Sequence, residues 1–174
     1  FFYLWSYNDT IMKSLYYNSG LWGMLHNHYQ RQVYSRNNPY VFEVSANKNN
    51  ENDITQLFHI DGIHQVSMML LLNDIDDSSS HMEIAIGSNK TKKLDYNRDH
   101  LNQEEIENSY NLYKCTGKKG TIIIFNAGKL YHRAVYKKEK RRVLQINYTT
   151  GYGMWGPEEL VRFPSCLNNN YIKR

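Results

Sequence analysis

His59 and Asp61 stand two apart in the run Phe58-His59-Ile60-Asp61-Gly62. In extended backbone, residues two apart point to the same side. The pair therefore offers one imidazole and one carboxylate to one small volume. Those are two of the three ligands of a 2-His-1-carboxylate iron(II) site. The third ligand must come from a distant strand, because only the fold can close the opposite side. His132 is the candidate, just beyond the apolar run Thr121-Ile122-Ile123-Ile124-Phe125.

Three ligands on one face leave positions open for O2 and a co-substrate. If the co-substrate is 2-oxoglutarate, its far carboxylate needs a cation. Arginine suits this role, because its fork binds a carboxylate in bidentate fashion and keeps its proton. Arg141 and Arg142 follow His132 at the start of a further apolar strand. Strand parity separates them. If Arg141 points inward, so do Val143, Gln145 and Asn147, while Leu144, Ile146 and Tyr148 pack outward. A cavity-facing strand under helices should turn its polar residues to the cavity, which favours Arg141, with Arg142 as the alternative. His64 is a further candidate ligand, but its odd offset from His59 turns it to the other face. Met69, Asn126, Tyr131 and Gln145 are candidates for the surroundings of the metal. His81 is read as solvated, and His26, His28 and His100 as surface or packing residues.

The elements that must hold these residues are mostly strands. Residues 1–37 read as a helical segment, with one helix from Asn8 or Asp9 to Tyr17. Asn18-Ser19-Gly20 is read as its stop. A second helix spans about Leu21 to Tyr34, with Leu21, Met24, Leu25 and His28 as its stripe. Candidate strands are Tyr40–Val44, Gln56–Asp61, Gln65–Leu72, Met82–Ile86, a buried Thr121–Phe125, and Val143–Thr149. Residues 46–53 form a polar loop, 73–80 an acidic serine-rich turn, and a helix falls near Arg98–Tyr110. Such short strands after a helical segment predict a β-sandwich or open barrel with helices packed outside. Trp5, Trp22 and Trp155 fall outside that barrel, as lids or as packing.

The 174 residues suit a single domain, with a core over about 40–150. The formal charge of +4 is mild and no nucleic-acid motif accompanies it. The run Lys137-Lys138-Glu139-Lys140-Arg141-Arg142 reads as a hairpin turn. No stretch approaches the roughly 20 apolar residues of a membrane span. Cys115 and Cys166 match no metal or redox spacing and read as free thiols of a reducing compartment, so a cytoplasmic location is expected. The chain begins with Phe, as a processed or trimmed product would.

Four places together resemble the phytanoyl-CoA dioxygenase family of Fe(II)/2-oxoglutarate oxygenases. They are His59-Ile60-Asp61, the stretch Leu70 to Lys90 ending Ile86-Gly87-Ser88-Asn89-Lys90, Lys119 to Phe125 leading to His132, and Arg141-Arg142-Val143-Leu144. The resemblance spans about residues 55–150. Ile86-Gly87-Ser88-Asn89 stands where the family has Pro-Gly-Ser-His, and Ser79-Ser80 where it has Asn-Gly. The resemblance implies a mainly β fold with flanking helices around a double-stranded β-helix, of the jelly-roll or cupin-like type. It implies His59, Asp61 and His132 on iron(II), and Arg141 on 2-oxoglutarate. The activity it implies is a dioxygenase that hydroxylates a C–H bond of a small molecule, releasing succinate and CO2. Related halogenases lack the carboxylate ligand, so Asp61 favours hydroxylation. A prolyl-hydroxylase-like enzyme acting on a protein side chain, and a non-catalytic metal-binding barrel, are the competing readings.

Overall fold

The computed structural model describes residues 19–30, 33–35, 39–46, 53–62, 64–90, 101–150 and 161–162. The expected helix ending at Tyr17, and Trp5, Trp155, His100 and Cys166, lie outside the described residues.

One antiparallel sheet is built around its longest strand. That strand, β8 (Arg141–Thr149), pairs on one side with β3 (Val66–Leu71), which pairs in turn with β6 (Ile122–Phe125). On its other side β8 pairs with β2 (Tyr40–Val44) and, further along, with β1 (Tyr34–Ser35), beyond which lies β9 (Val161–Arg162). The second sheet runs β5 (Asn111–Lys114), β4 (His81–Ile86), β7 (His132–Val135). A single antiparallel bridge between His59 and His132 adds the His59 segment to its edge. The two sheets form a mainly β, double-stranded β-helix core of the jelly-roll type.

Side-chain alternation along β8 dictates what covers each face. Ile146 and Tyr148 pack outward with Val66 and Met68 of β3, under Trp22 and Leu25 of α1 (Ser19–Tyr29). The Trp22 and Tyr148 rings meet edge to face, with centroids 5.1 Å apart. Arg141, Val143, Gln145 and Asn147 occupy the other parity and are all buried. The shorter sheet has its own cover. Phe58, Ile60, Ala85 and Tyr131 are buried together with Ile106 of α2 (Gln103–Ser109). The side chain of Asn102 caps α2 by accepting from the Glu105 amide, at 3.1 Å.

Several sequence expectations are corrected. Ser19 and Gly20 open α1, so the second helix starts earlier than Leu21, and it ends at Tyr29 rather than Tyr34. Its buried residues are Trp22 and Leu25, whereas Met24 and His28 are exposed. The direction of the core lies on tertiary contacts that the local pattern does not contain. Gln56–Asp61 is not a ladder strand. A short 3-10 turn (Ile54–Gln56) precedes extended chain that pairs only at His59. The run Thr121–Phe125 is not buried on both faces. It is an edge strand, and Ile122 and Ile124 on its outer side are exposed. His81 is not solvated. It is 1% exposed on β4, its Nδ1 lies 2.8 Å from the Ser79 carbonyl, and its Nε2 lies 3.7 Å from Glu83.

The acidic turn after β3 is locally determined. Asp76 Oδ1 accepts from the Ser78 amide and from the Ser78 and Ser79 hydroxyls, which holds its pKa down at about 2. Cys115 is a free thiol, buried so that its pKa is pushed up to about 12. No helix among the described residues is long and apolar enough to cross a membrane.

The α1 contact is the test of this packing. Trp22→Ala removes a side chain that is 1% exposed. It should lower the unfolding free energy by about 3–5 kcal/mol in denaturant titration. A loss below about 1 kcal/mol would mean that α1 contributes little to the core.

Candidate metal centre

The two histidines are brought together by backbone pairing. The His59 amide donates to the His132 carbonyl and the His132 amide to the His59 carbonyl, both at 3.0 Å. Residues that exchange both bonds face the same side of the sheet, and the two rings lie 4.4 Å apart. Both are buried, and Phe125 packs its ring against His132 with centroids 5.0 Å apart.

Each ring is held by its Nδ1. For His59 that atom is 2.8 Å from the Leu57 carbonyl, and for His132 it is 2.9 Å from the Leu130 carbonyl. A carbonyl oxygen only accepts, so each neutral ring carries its hydrogen on Nδ1 and its lone pair on Nε2. Both Nε2 atoms are directed at Asp61. His59 Nε2 is 3.8 Å from Oδ1, and His132 Nε2 is 3.8 Å from Oδ2. These distances exceed a hydrogen bond. Two lone pairs and a carboxylate face one volume, with their ligand atoms all within 4.8 Å of one another. That donor set of two imidazole nitrogens and one carboxylate oxygen fits one divalent first-row metal ion.

Asp61 is set by its own contacts. Its amide donates to the Ala127 carbonyl at 2.9 Å, and its Oδ2 accepts from Gln65 Nε2 at 2.7 Å. Gly128 makes that approach possible. Its amide donates to the Gln65 carbonyl at 2.9 Å. A Cβ there would stand 2.7 Å from the Gly62 carbonyl oxygen and 2.9 Å from the Gln65 amide nitrogen. His132 is fixed from the other side. The buried Ser88 hydroxyl donates to the Ala85 carbonyl at 2.8 Å and accepts from the Tyr131 amide at 3.0 Å. Gly87, at φ +92°, makes the turn that brings Ser88 there.

The two arginines part company. Arg142 is exposed and donates to Glu43 Oε2, at 2.6 Å from its Nη2, and Lys140 also pairs with Glu43. Arg141 is only 4% exposed, and its Nε is buried without a hydrogen bond. Among the described residues no carboxylate pairs with its guanidinium. The Phe42 ring lies 5.5 Å from it, and Tyr40, Tyr136 and Cys115 are its electrostatic neighbours. Loss of hydration pushes its pKa down to about 10, which leaves it charged at neutral pH.

The other candidates divide. Met69 and Gln145 are cross-strand partners, buried on the inward parity of β3 and β8. The Asn126 side-chain oxygen is buried without a hydrogen bond. Tyr131 turns away from the ligands and packs with Ile106 under α2. His64 is outside the ligand group. It adopts φ +61° and sets its ring 6.1 Å from that of Tyr29. The supporting roles of Gln65, Ser88 and Gly128 around the ligand group emerge only from the structure. Only Gln65 left a usable signal, four residues after Asp61 in a segment that must stay close to it.

No family model matches the chain, and no curated protein matches it in sequence. Solved structures do match in fold. The non-heme alpha ketoglutarate dependent epimerase SnoN from nogalamycin biosynthesis is 12% identical with a TM-score of 0.58, over 86% of this chain and 61% of that one. The carbocyclase SnoK from the same biosynthesis is 11% identical with a TM-score of 0.56, over 83% and 60%. EctD from S. alaskensis, crystallised with 2-oxoglutarate and 5-hydroxyectoine, is 17% identical with a TM-score of 0.62, over 83% and 54%. The chain therefore spans little more than half the length of these structures.

Gly128→Ala tests the support of Asp61. The added methyl group should push the Gly62–Gln65 backbone away and weaken iron(II) or cobalt(II) binding about 10–100-fold, read by metal titration. Unchanged affinity would show that the close approach does not position the carboxylate. Taken together, the chain has the fold of alpha ketoglutarate dependent non-heme enzymes and carries a His-Asp-His ligand group inside it.

Proposed function

We propose that the protein is an Fe(II)- and 2-oxoglutarate-dependent oxygenase that hydroxylates a small molecule, of the phytanoyl-CoA dioxygenase-like kind. The observation that carries this reading is a pairing of two features in one core. A group of three possible metal ligands stands at the edge of the shorter sheet, and β8 of the longer sheet carries a buried guanidinium with no carboxylate partner among the described residues. Burying an unpaired cation is costly. A dicarboxylate that reaches both places would offset that cost.

His59, Asp61 and His132 would hold the iron, and Arg141 would take the far carboxylate of 2-oxoglutarate. The bound metal supplies activation of O2, coupled to decarboxylation of the co-substrate to succinate and CO2. The chain supplies the rest. Leu57 and Leu130 fix the tautomer of each imidazole, Gln65 orients the carboxylate, and Phe125 and Met69 keep water from the interior. Asp61 fills the position that related halogenases leave to a small residue, which supports hydroxylation. SnoN and SnoK are described as an epimerase and a carbocyclase, so the outcome of oxidation is a property to be measured.

Iron(II) and 2-oxoglutarate added without oxygen should give a weak visible charge-transfer band. Arg141→Leu should weaken 2-oxoglutarate binding by about 100-fold or more, since a buried charge pair is lost. Arg142→Gln, which breaks an exposed pair, should change it less than about fivefold. No band in the wild-type protein, or equal losses in the two variants, would sink this reading. A band without succinate release on any candidate substrate would favour a metal-binding barrel that does not turn over.

A further inference from the structure

Beyond the metal and Arg141, the inward face of β8 carries a second polar group. Asn147 Oδ1 accepts from the Ser67 hydroxyl at 2.7 Å and from Gln145 Nε2 at 2.9 Å. Ser67 is 0% exposed, Asn147 7% and Gln145 8%. With Oδ1 engaged twice, the side chain of Asn147 is fixed, and its Nδ2 hydrogens have no acceptor among the described residues. Gln145 likewise keeps Oε1 without a donor. Both residues keep a small exposed fraction, so the pair is not fully enclosed. A preorganised donor and acceptor thus stand side by side on the inward face of β8.

The position of this pair is informative. Ser67 lies two residues from Gln65, on the same parity, and Gln65 holds the carboxylate of Asp61. Gln145 and Asn147 share the parity of Arg141 but lie further along β8. At about 3.3 Å per residue, Gln145 and Asn147 are roughly 13 and 20 Å from Arg141 along the strand. That separates them from the end of the barrel where the guanidinium sits. Both groups are neutral. An anionic group buried against these amides would want a cationic side chain, and the inward-facing one described on β8 is Arg141, at the far end of the strand.

We propose that the Gln145–Asn147 amide pair is the specificity determinant for the substrate. It would take a neutral group that both donates and accepts a hydrogen bond, a carboxamide or a hydroxyl, and discriminate against an anionic head. The inference deepens the oxygenase reading and rests on it for the identity of the opposite wall.

The test uses the full-length chain with iron(II) and 2-oxoglutarate under anaerobic conditions. The charge-transfer band reports on metal and co-substrate, and ligand-observed NMR reports on three matched probes: butyramide, butanoate and n-butylammonium. The variant is Asn147→Asp, which keeps an oxygen for both Ser67 and Gln145 and so preserves the local fold. In the wild-type protein butyramide should bind at least about tenfold more tightly than butanoate, the ratio expected for one satisfied buried hydrogen bond. Asn147→Asp should weaken butyramide by a similar factor and bring in n-butylammonium. A missing band in the wild-type protein defeats the oxygenase reading itself. If the wild-type band is present, three results overturn the present inference. One is butyramide that fails to bind or binds equally to both proteins. Another is butanoate that binds as well as butyramide. The last is a band lost only in Asn147→Asp, which would assign the amide pair to the co-substrate.

Discussion

The reciprocal hydrogen bonds between the backbones of His59 and His132 hold the core together at its most demanding point. They join a segment that belongs to no ladder to the edge of the shorter sheet. Because the residues exchange both bonds, their side chains emerge on the same side, and a slip of one residue would turn one imidazole away. Much of the surrounding structure enforces that register. The Asp61 amide bonds to Ala127, Gly128 bonds to Gln65, and Ser88 grips the amide that precedes His132. Each of these contacts joins residues far apart in the sequence.

β8 supplies the second constraint. One parity of this strand is apolar and packs beneath Trp22 and Leu25, and the other is largely polar and faces inward. A strand of one composition could not serve both a helix-covered face and a polar interior. Burial of the Arg141 guanidinium is unfavourable in isolation, and the outer cluster offsets it. The adjacent Arg142 sits on the opposite parity, where Glu43 and solvent satisfy it. Two identical side chains thus acquire different chemistry from the pleat alone. The same pleat aligns Gln145 and Asn147 with Arg141, so that a cationic end and a neutral amide end share one wall.

The sequence was most informative where a residue's role follows from local spacing. His59 and Asp61 are two apart in extended chain, and strand period alone puts them together. The parity of Arg141, Gln145 and Asn147 follows from the polar and apolar alternation of one strand. Gly87-Ser88 carried a resemblance before its physical use was visible, as a turn that delivers a hydroxyl to the Tyr131 amide. The sequence was less informative where burial depends on what covers a face. The run of isoleucines before Phe125 looked uniformly buried, yet it is an edge strand with one side exposed, since nothing local says whether a second layer lies above it. His81 looked like a turn residue and is buried, and Tyr131, beside a ligand, faces the opposite layer.

What the sequence by itself determined is the chemical inventory and its local direction: two imidazoles, one carboxylate, two candidate cations and the side of the strand on which each stands. Only the tertiary structure decided that His132 meets His59, that both lone pairs point at Asp61, and that among the described residues Arg141 is buried without a carboxylate while Arg142 has one. The physical reason is the range of the forces involved. Side-chain direction is fixed by backbone geometry over two or three residues. Pairing, burial and charge compensation are fixed by whichever distant segment the sheets bring alongside.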